Sequence, residues 1–179
     1  MGRTFDEITP ELRGWLAAQP VFFVGTAPAD GGHVNVSPKG LDTFAVLDET
    51  HVAYLDLTGS GVETIAHLHD NGRITLMFCA FEGPAQIVRL QGNGRVVRRS
   101  DPGADDLFDT FVDHPGARAV IVVDLDRIST SCGYGVPLMR FEGPRDRLLQ
   151  WADAKGDEGI QEYWASKNTL SIDGLPGIA

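Results

Sequence analysis

The stretch Val52–Phe78, VAYLDLTGSGVETIAHLHDNGRITLMF, constrains the chain most. An apolar strand pattern over Val52–Asp56 runs into the small-residue loop Leu57-Thr58-Gly59-Ser60-Gly61. A helix is predicted from about Gly61 to Asp70, Asn71-Gly72 stops it, and a second apolar strand begins at Arg73. This order sets a helix N-terminus at the end of a strand. Backbone N–H groups there have no intrahelical partner, and the helix dipole adds partial positive charge. Such an end accepts anions, phosphate above all. Ser and Thr also cap helices that bind nothing. The pattern therefore admits an anion cradle or an ordinary cap.

Strands dominate the surroundings. Val21–Thr26 and His33–Ser37 flank the turn Ala29-Asp30-Gly31-Gly32 and read as a hairpin. Further strands are predicted at Phe44–Leu47, His51–Asp56, Ile74–Phe81, Ile87–Arg98 and Arg118–Ile128. Gly92 and Gly94 mark a bulge or bend in the sixth. Helices are predicted at Ile8–Ala18, with Thr9 as cap and Pro10 in the first turn, and at Ala104–Val112. Two more are predicted at Arg145–Ala154 and Glu158–Lys167, and the tail SIDGLPGIA reads as extended or frayed. Short strands with few helices between them argue for antiparallel pairing. A doubly wound parallel sheet needs a helix after nearly every strand. The expected fold is mainly β with α (α+β): an antiparallel barrel broken by a helical connection, flanked by helices. One domain spans 1–179, with the barrel over about 5–130 and a helical C-terminal extension over about 131–179.

The net charge of −10 opposes nucleic-acid binding and adhesion to anionic membranes, both of which call for clustered Lys and Arg. No apolar run reaches the roughly 20 residues of a spanning helix. The first twenty residues lack a signal peptide's apolar core, so the expected location is cytoplasmic. Cys79 sits in an apolar strand and reads as a core residue, whereas Cys132 lies in a flexible glycine-bearing segment.

No hydrolytic triad is visible, and no catalytic side chain is assigned. His67 and His69 lie two apart on a helix and face different ways, so they make a poor metal pair; both read as surface or turn residues. No metal site is expected, and the loop lacks the Gly-Lys-Ser/Thr end of a P-loop. A different constellation remains. Asn35, Ser37 and Lys39 alternate with Val34, Val36 and Pro38, which puts the three polar residues on one strand face. That face meets solvent or a planar polar ligand. In the second case Asn35 and Ser37 hydrogen-bond a heterocycle and Lys39 supplies charge. Joined to the Thr58–Thr64 cradle, it describes a site for a phosphorylated heterocycle.

The order Val34-Asn35-Val36-Ser37-Pro38-Lys39-Gly40, then Tyr54-Leu55-Asp56-Leu57-Thr58-Gly59-Ser60-Gly61-Val62-Glu63-Thr64, then Ile74–Phe78 resembles the pyridoxamine 5′-phosphate oxidase-like flavoproteins. The resemblance implies the FMN-binding split β-barrel and a homodimer with flavin at the subunit interface. It also implies an oxidoreductase acting on a small-molecule redox substrate. The implied cofactor-binding residues are Asn35, Val36, Ser37, Pro38 and Lys39 along the ring, Asp56, Leu57, Thr58, Ser60, Val62 and Thr64 at ribityl and phosphate, and Gln86 as a further polar contact. Two departures stand out. Val62-Glu63-Thr64 replaces the Ser-Arg-Lys phosphate grip of the true oxidases, and Val34 or Asn35 replaces their strand Arg. Pyridoxamine 5′-phosphate is therefore not the expected substrate. The alternatives are a flavin carrier or redox sensor without turnover and a deazaflavin-dependent reductase.

Overall fold

The computed structural model describes residues 2–178. In chain order the elements are β1 (Arg3–Phe5), α1 (Pro10–Ala17), β2 (Phe22–Thr26), β3 (Asn35–Lys39), β4 (Phe44–Val46), β5 (His51–Leu57), α2 (Glu63–Asn71), β6 (Arg73–Cys79), β7 (Ile87–Val97), α3 (Ala104–Phe108), β8 (Ala117–Ser131) and α4 (Arg147–Lys167). All strand pairs are antiparallel, in the order β3-β2-β6-β7-β8-β5-β4, with β1 added on β8. β3 and β4 end the sheet without pairing to each other, so the barrel is split. Consecutive β5 and β6 are not neighbours, and α2, packed on β2, β6 and β7, carries the chain between them.

Alternation builds the core. β2 buries Phe22, Val24 and Thr26, and β6 buries Ile74, Leu76 and Phe78. Phe22, Phe44, Tyr54 and Phe78 pack with ring centroids 4.8–5.6 Å apart. Full burial of one such ring contributes about 1.5–3 kcal/mol. The predicted bulge in β7 falls between Gln91 and Gly92, where a Cβ on Gly92 would overlap the Asp124 carbonyl. Gly72 ends α2 in the left-handed conformation (φ 72°) that glycine adopts at least cost.

Four expectations change. β1 was not foreseen, because three residues carry no periodic signal. The helix predicted to Val112 ends at Phe108, followed by turn residues. The two C-terminal helices form one element interrupted at Gly156, whose φ of 64° and ψ of 175° break the helical path. The tail folds back: Leu170 pairs with Pro176, and the Ile178 and Gly177 amides donate to the Asn168 and Thr169 carbonyls. Between β8 and α4, residues 132–146 carry the exposed Tyr134, Leu138, Met139 and Phe141. The segment is pinned where Met139 N donates to the Phe81 carbonyl and Phe141 N to Glu82. Among the described residues no helix is long and apolar enough to cross a membrane.

Candidate functional site

The loop between β5 and α2 leaves its donors open. Val62 is the cap residue of α2 and has no side-chain capping bond. Thr58 is turned inward: its hydroxyl donates to the Gly116 carbonyl at 2.7 Å and accepts from Trp164 Nε1 at 2.8 Å. The Ser60 side chain stays exposed, and the Gly59, Ser60 and Gly61 amides have no partner among the described residues. An ordinary hydroxyl cap is therefore not what this sequence builds. The loop instead borders a cavity of about 270 Å³, closed by Asn35, Ser37 and Lys39 of β3, Asp56 and Leu57 of β5, Glu63 and Thr64 of α2, and Arg118 of β8.

One wall is charged. Asp56 is 1% exposed and takes Lys39 Nζ at 2.9 Å, Arg118 Nε at 2.8 Å and Arg118 Nη2 at 2.7 Å. Burial pushes its carboxyl up, but Lys39 and Arg118 overcome that and hold it below its ordinary value. Arg118 Nη1 also donates to the Gly61 carbonyl and to Asn168 Oδ1, each at 3.0 Å. Asn168 in turn donates to the Gly59 carbonyl at 3.1 Å. The cations are thus fixed in place, and the loop is braced by a residue of the C-terminal tail. Glu63 lines the cavity too: Oε1 accepts from Ile172 N at 3.3 Å, while Oε2 lies against Gly61, where a Cβ would overlap it.

The other wall is neutral. Asn35 Nδ2 donates to Thr64 Oγ1 at 3.1 Å and to Thr26 Oγ1 at 3.3 Å, and Ser37 Oγ donates to Asn35 Oδ1 at 3.0 Å. Thr26 Oγ1 meets His67 Nδ1 at 3.0 Å. His67 is fully buried, contrary to the expected surface position, because α2 turns this face onto the barrel. Outside the cavity, His33 binds Asp173 through its backbone N (2.8 Å) and Nδ1 (2.7 Å), which lowers the Asp173 carboxyl and ties the tail to the start of β3.

Of the residues expected at a cofactor, Asn35, Ser37, Lys39, Asp56, Leu57, Ser60 and Thr64 meet at this cavity. Thr58 and Val62 lie buried behind it. Val36 and Pro38 occupy the opposite, exposed side of β3. Gln86 stands just before β7, with its carbonyl accepting from Ala80 N, and does not line the cavity. The sequence reading missed Arg118 and Asn168. Arg118 had left a signal: a lone cation in the apolar run ARAVIVV requires a buried partner. Asn168, between Lys167 and Thr169, had left none.

An antiparallel split β-barrel with a loop-and-strand cavity beside the N-terminus of its crossover helix defines the structural class. The family model for pyridoxamine 5′-phosphate oxidase matches residues 8–132. The Aspergillus flavus pyridoxamine 5′-phosphate oxidase family protein ustO is 41% identical over an alignment covering 97% of this chain and 77% of that protein. The chain belongs to the pyridoxamine 5′-phosphate oxidase family. Among solved structures, HupZ from Group A Streptococcus shares the fold at TM-score 0.53 and 23% identity, covering 68% of this chain and 91% of that one. A Mesorhizobium loti FAD-binding protein shares it at TM-score 0.51 and 14% identity, covering 73% and 96%.

Proposed function

We propose that the chain is an FMN-dependent oxidoreductase, homodimeric and cytoplasmic, acting on a small molecule other than pyridoxamine 5′-phosphate. The observation that carries this reading is the donor set of the cavity: three open loop amides, the Ser60 and Thr64 hydroxyls, and two cations held within reach. These suit a phosphate. Arg118 stands in for the missing Ser-Arg-Lys grip. Family membership and the FAD-binding relative in Mesorhizobium loti support a flavin.

The loop, Thr64, Lys39 and Arg118 would hold the phosphate end, while Asn35 and Ser37 would meet the heterocycle. The bound flavin supplies the electron chemistry, so no side-chain acid or base is required. The protein binds, orients and shields. A cavity of about 270 Å³ falls just below the 300–1,000 Å³ typical of sites that engulf a cofactor-sized ligand. A second copy would complete it. Val34 and Val36, 73% and 64% exposed beside and on edge strand β3, are apolar surface on the strand face opposite the cavity that a copy wrapping around this edge would also cover.

The test is the visible absorption spectrum of protein reconstituted with FMN and desalted. Flavin bands retained at one per chain are expected; a colourless protein overturns the flavin reading. Reduced nicotinamide and other donors then separate an enzyme from a carrier: sustained flavin-dependent oxidation is expected, and a flavin that no donor reduces points to the carrier.

A further inference from the structure

Residues 40–43 span the split in the barrel, joining the end of β3 to the start of β4. Among the described residues, two of them, Leu41 (φ 62°) and Asp42 (φ 54°), are the ones other than glycine with positive φ. A Cβ makes the left-handed region costly, for leucine more than for aspartate, so neighbours must hold such residues there. Thr43 Oγ1 donates to the Gly40 carbonyl at 2.7 Å, and Leu55 N donates to the Thr43 carbonyl at 2.8 Å. These bonds fix the two ends of the link. Among the described residues, the bond that reaches the strained pair itself comes from His114, whose Nε2 donates to the Leu41 carbonyl at 3.0 Å. A carbonyl only accepts, so this bond puts a hydrogen on Nε2 whatever charge the ring carries. Lys39 immediately precedes the link, and Arg118 follows His114 by four positions. Both cations end on Asp56, the next residue after Leu55.

We propose that His114 is a positioning residue whose bond to the Leu41 carbonyl sets the spacing of Lys39 and Arg118 across the split, and through it the grip of the cavity on an anion. The connections close on themselves around this bond. The link carries Leu41 to Lys39, the approach to β8 carries His114 to Arg118, and Asp56 joins the two cations. Arg118 is the immobile side, held by Asp56, the Gly61 carbonyl and Asn168. Lys39 is the side that yields, since it ends an edge strand and its side chain is 20% exposed. Without the His114 bond Leu41 relaxes toward the right-handed region, and Lys39 moves with it. The anion is the phosphate of the flavin reading above, and that half of the assignment rests on it; the clamp on the link does not.

The test has two arms on the full-length protein. The first is NMR of labelled protein without ligand. Backbone couplings are expected to show Leu41 left-handed in wild type and in His114→Gln, whose amide keeps a donor, and no longer so in His114→Ala. In the same samples the Asp56 carboxyl is followed, which burial raises and Lys39 and Arg118 hold below its ordinary value. It is expected to titrate higher in His114→Ala and to stay in place in His114→Gln. A left-handed Leu41 or an unmoved Asp56 in His114→Ala overturns the proposal. In the second arm FMN is titrated. His114→Ala is expected to weaken it by about tenfold, the worth of one hydrogen bond, and His114→Gln by less than about threefold. Glycine at both 41 and 42 removes the strain, so in that background His114→Ala should weaken FMN by only about twofold. Wild-type affinity in His114→Ala, or an equal penalty in both backgrounds, overturns the proposal. Failure of wild type to bind FMN overturns the flavin reading alone, and the ligand-free arm still decides the role of His114. His114→Phe, which keeps a ring and loses the donor, takes the place of His114→Ala in both arms should that variant not fold.

Discussion

The two walls of the cavity are built on opposite principles. The charged wall gathers Lys39, Asp56 and Arg118 so closely that most of their interaction is with one another. The neutral wall bonds Asn35 to Thr26, Thr64 and Ser37 and turns Asn35, Ser37 and Thr64 toward the cavity. Charge buried in this way fixes position: Arg118 has a carboxylate, a loop carbonyl and Asn168 around it, and no freedom to wander. Neutral groups cost less to bury, and their hydroxyls and amide can each donate or accept. Strength of binding would come from the first wall and choice of ligand from the second.

The largest effect separating them should come from Asp56→Ala. It leaves Arg118, 4% exposed at its side chain, without a counter-charge, and a loss of about 3–5 kcal/mol is expected in urea unfolding. The sign with pH follows from the lowered Asp56 carboxyl. Its contribution is fully present above the ordinary value of 3.8 and is lost as pH falls through the lower folded-state value. A wild-type acid limb shallower in Asp56→Ala is the expected signature; parallel limbs would show that the ion pairs contribute nothing to folding. Next comes Thr64→Val, which removes an acceptor of Asn35 and a cavity hydroxyl together. Stability should fall by about 1–2 kcal/mol and FMN affinity by about tenfold or more, measured by thermal unfolding and by flavin titration. Unchanged affinity would remove Thr64 from the site. The smallest effect is expected for His33→Ala. Its ring is 75% exposed, and its loss should leave the unfolding midpoint nearly in place while the Ile172 and Gly174 amides exchange faster. Unaltered exchange would mean that the contacts of Asn168, Ser171 and Ile172 hold the tail without the His33 ring.

The neutral wall was half legible before any coordinates. Alternation along Asn35, Ser37 and Lys39 states which side chains share a face, and the loop before α2 declares a helix end. Of the charged wall, Lys39 and Asp56 were expected at the site, but their partners were hidden by distance along the chain: Arg118 lies 62 positions from Asp56, and Asn168 a further 50 from Arg118. Spacing along a chain says nothing about pairs brought together by sheet order. His67 was misplaced for a related reason. Imidazole on a short helix flanked by His69 and Asp70 looks solvated, and only the packing of α2 on β2 makes that face interior. The strands fared better because each announces its own period. The tail fared worst: SIDGLPGIA has no period, and the order of residues 171–178 comes from Gly177 and Ile178 amides bonding Thr169 and Asn168 and from contacts with His33 and Glu63.

Residues 132–146 join the barrel to α4 through a segment exposed along most of its length, while the two parts they join are fastened elsewhere. Trp164 holds Thr58, Asn168 holds Arg118 and the loop carbonyl, and Ile172 holds Glu63. The covalent link is thus not what keeps α4 and the tail on the cavity. A protease cutting near Gly135 or Gly143 would leave two polypeptides that still fit each other. The completeness of the cavity would then become a matter of concentration rather than of connectivity.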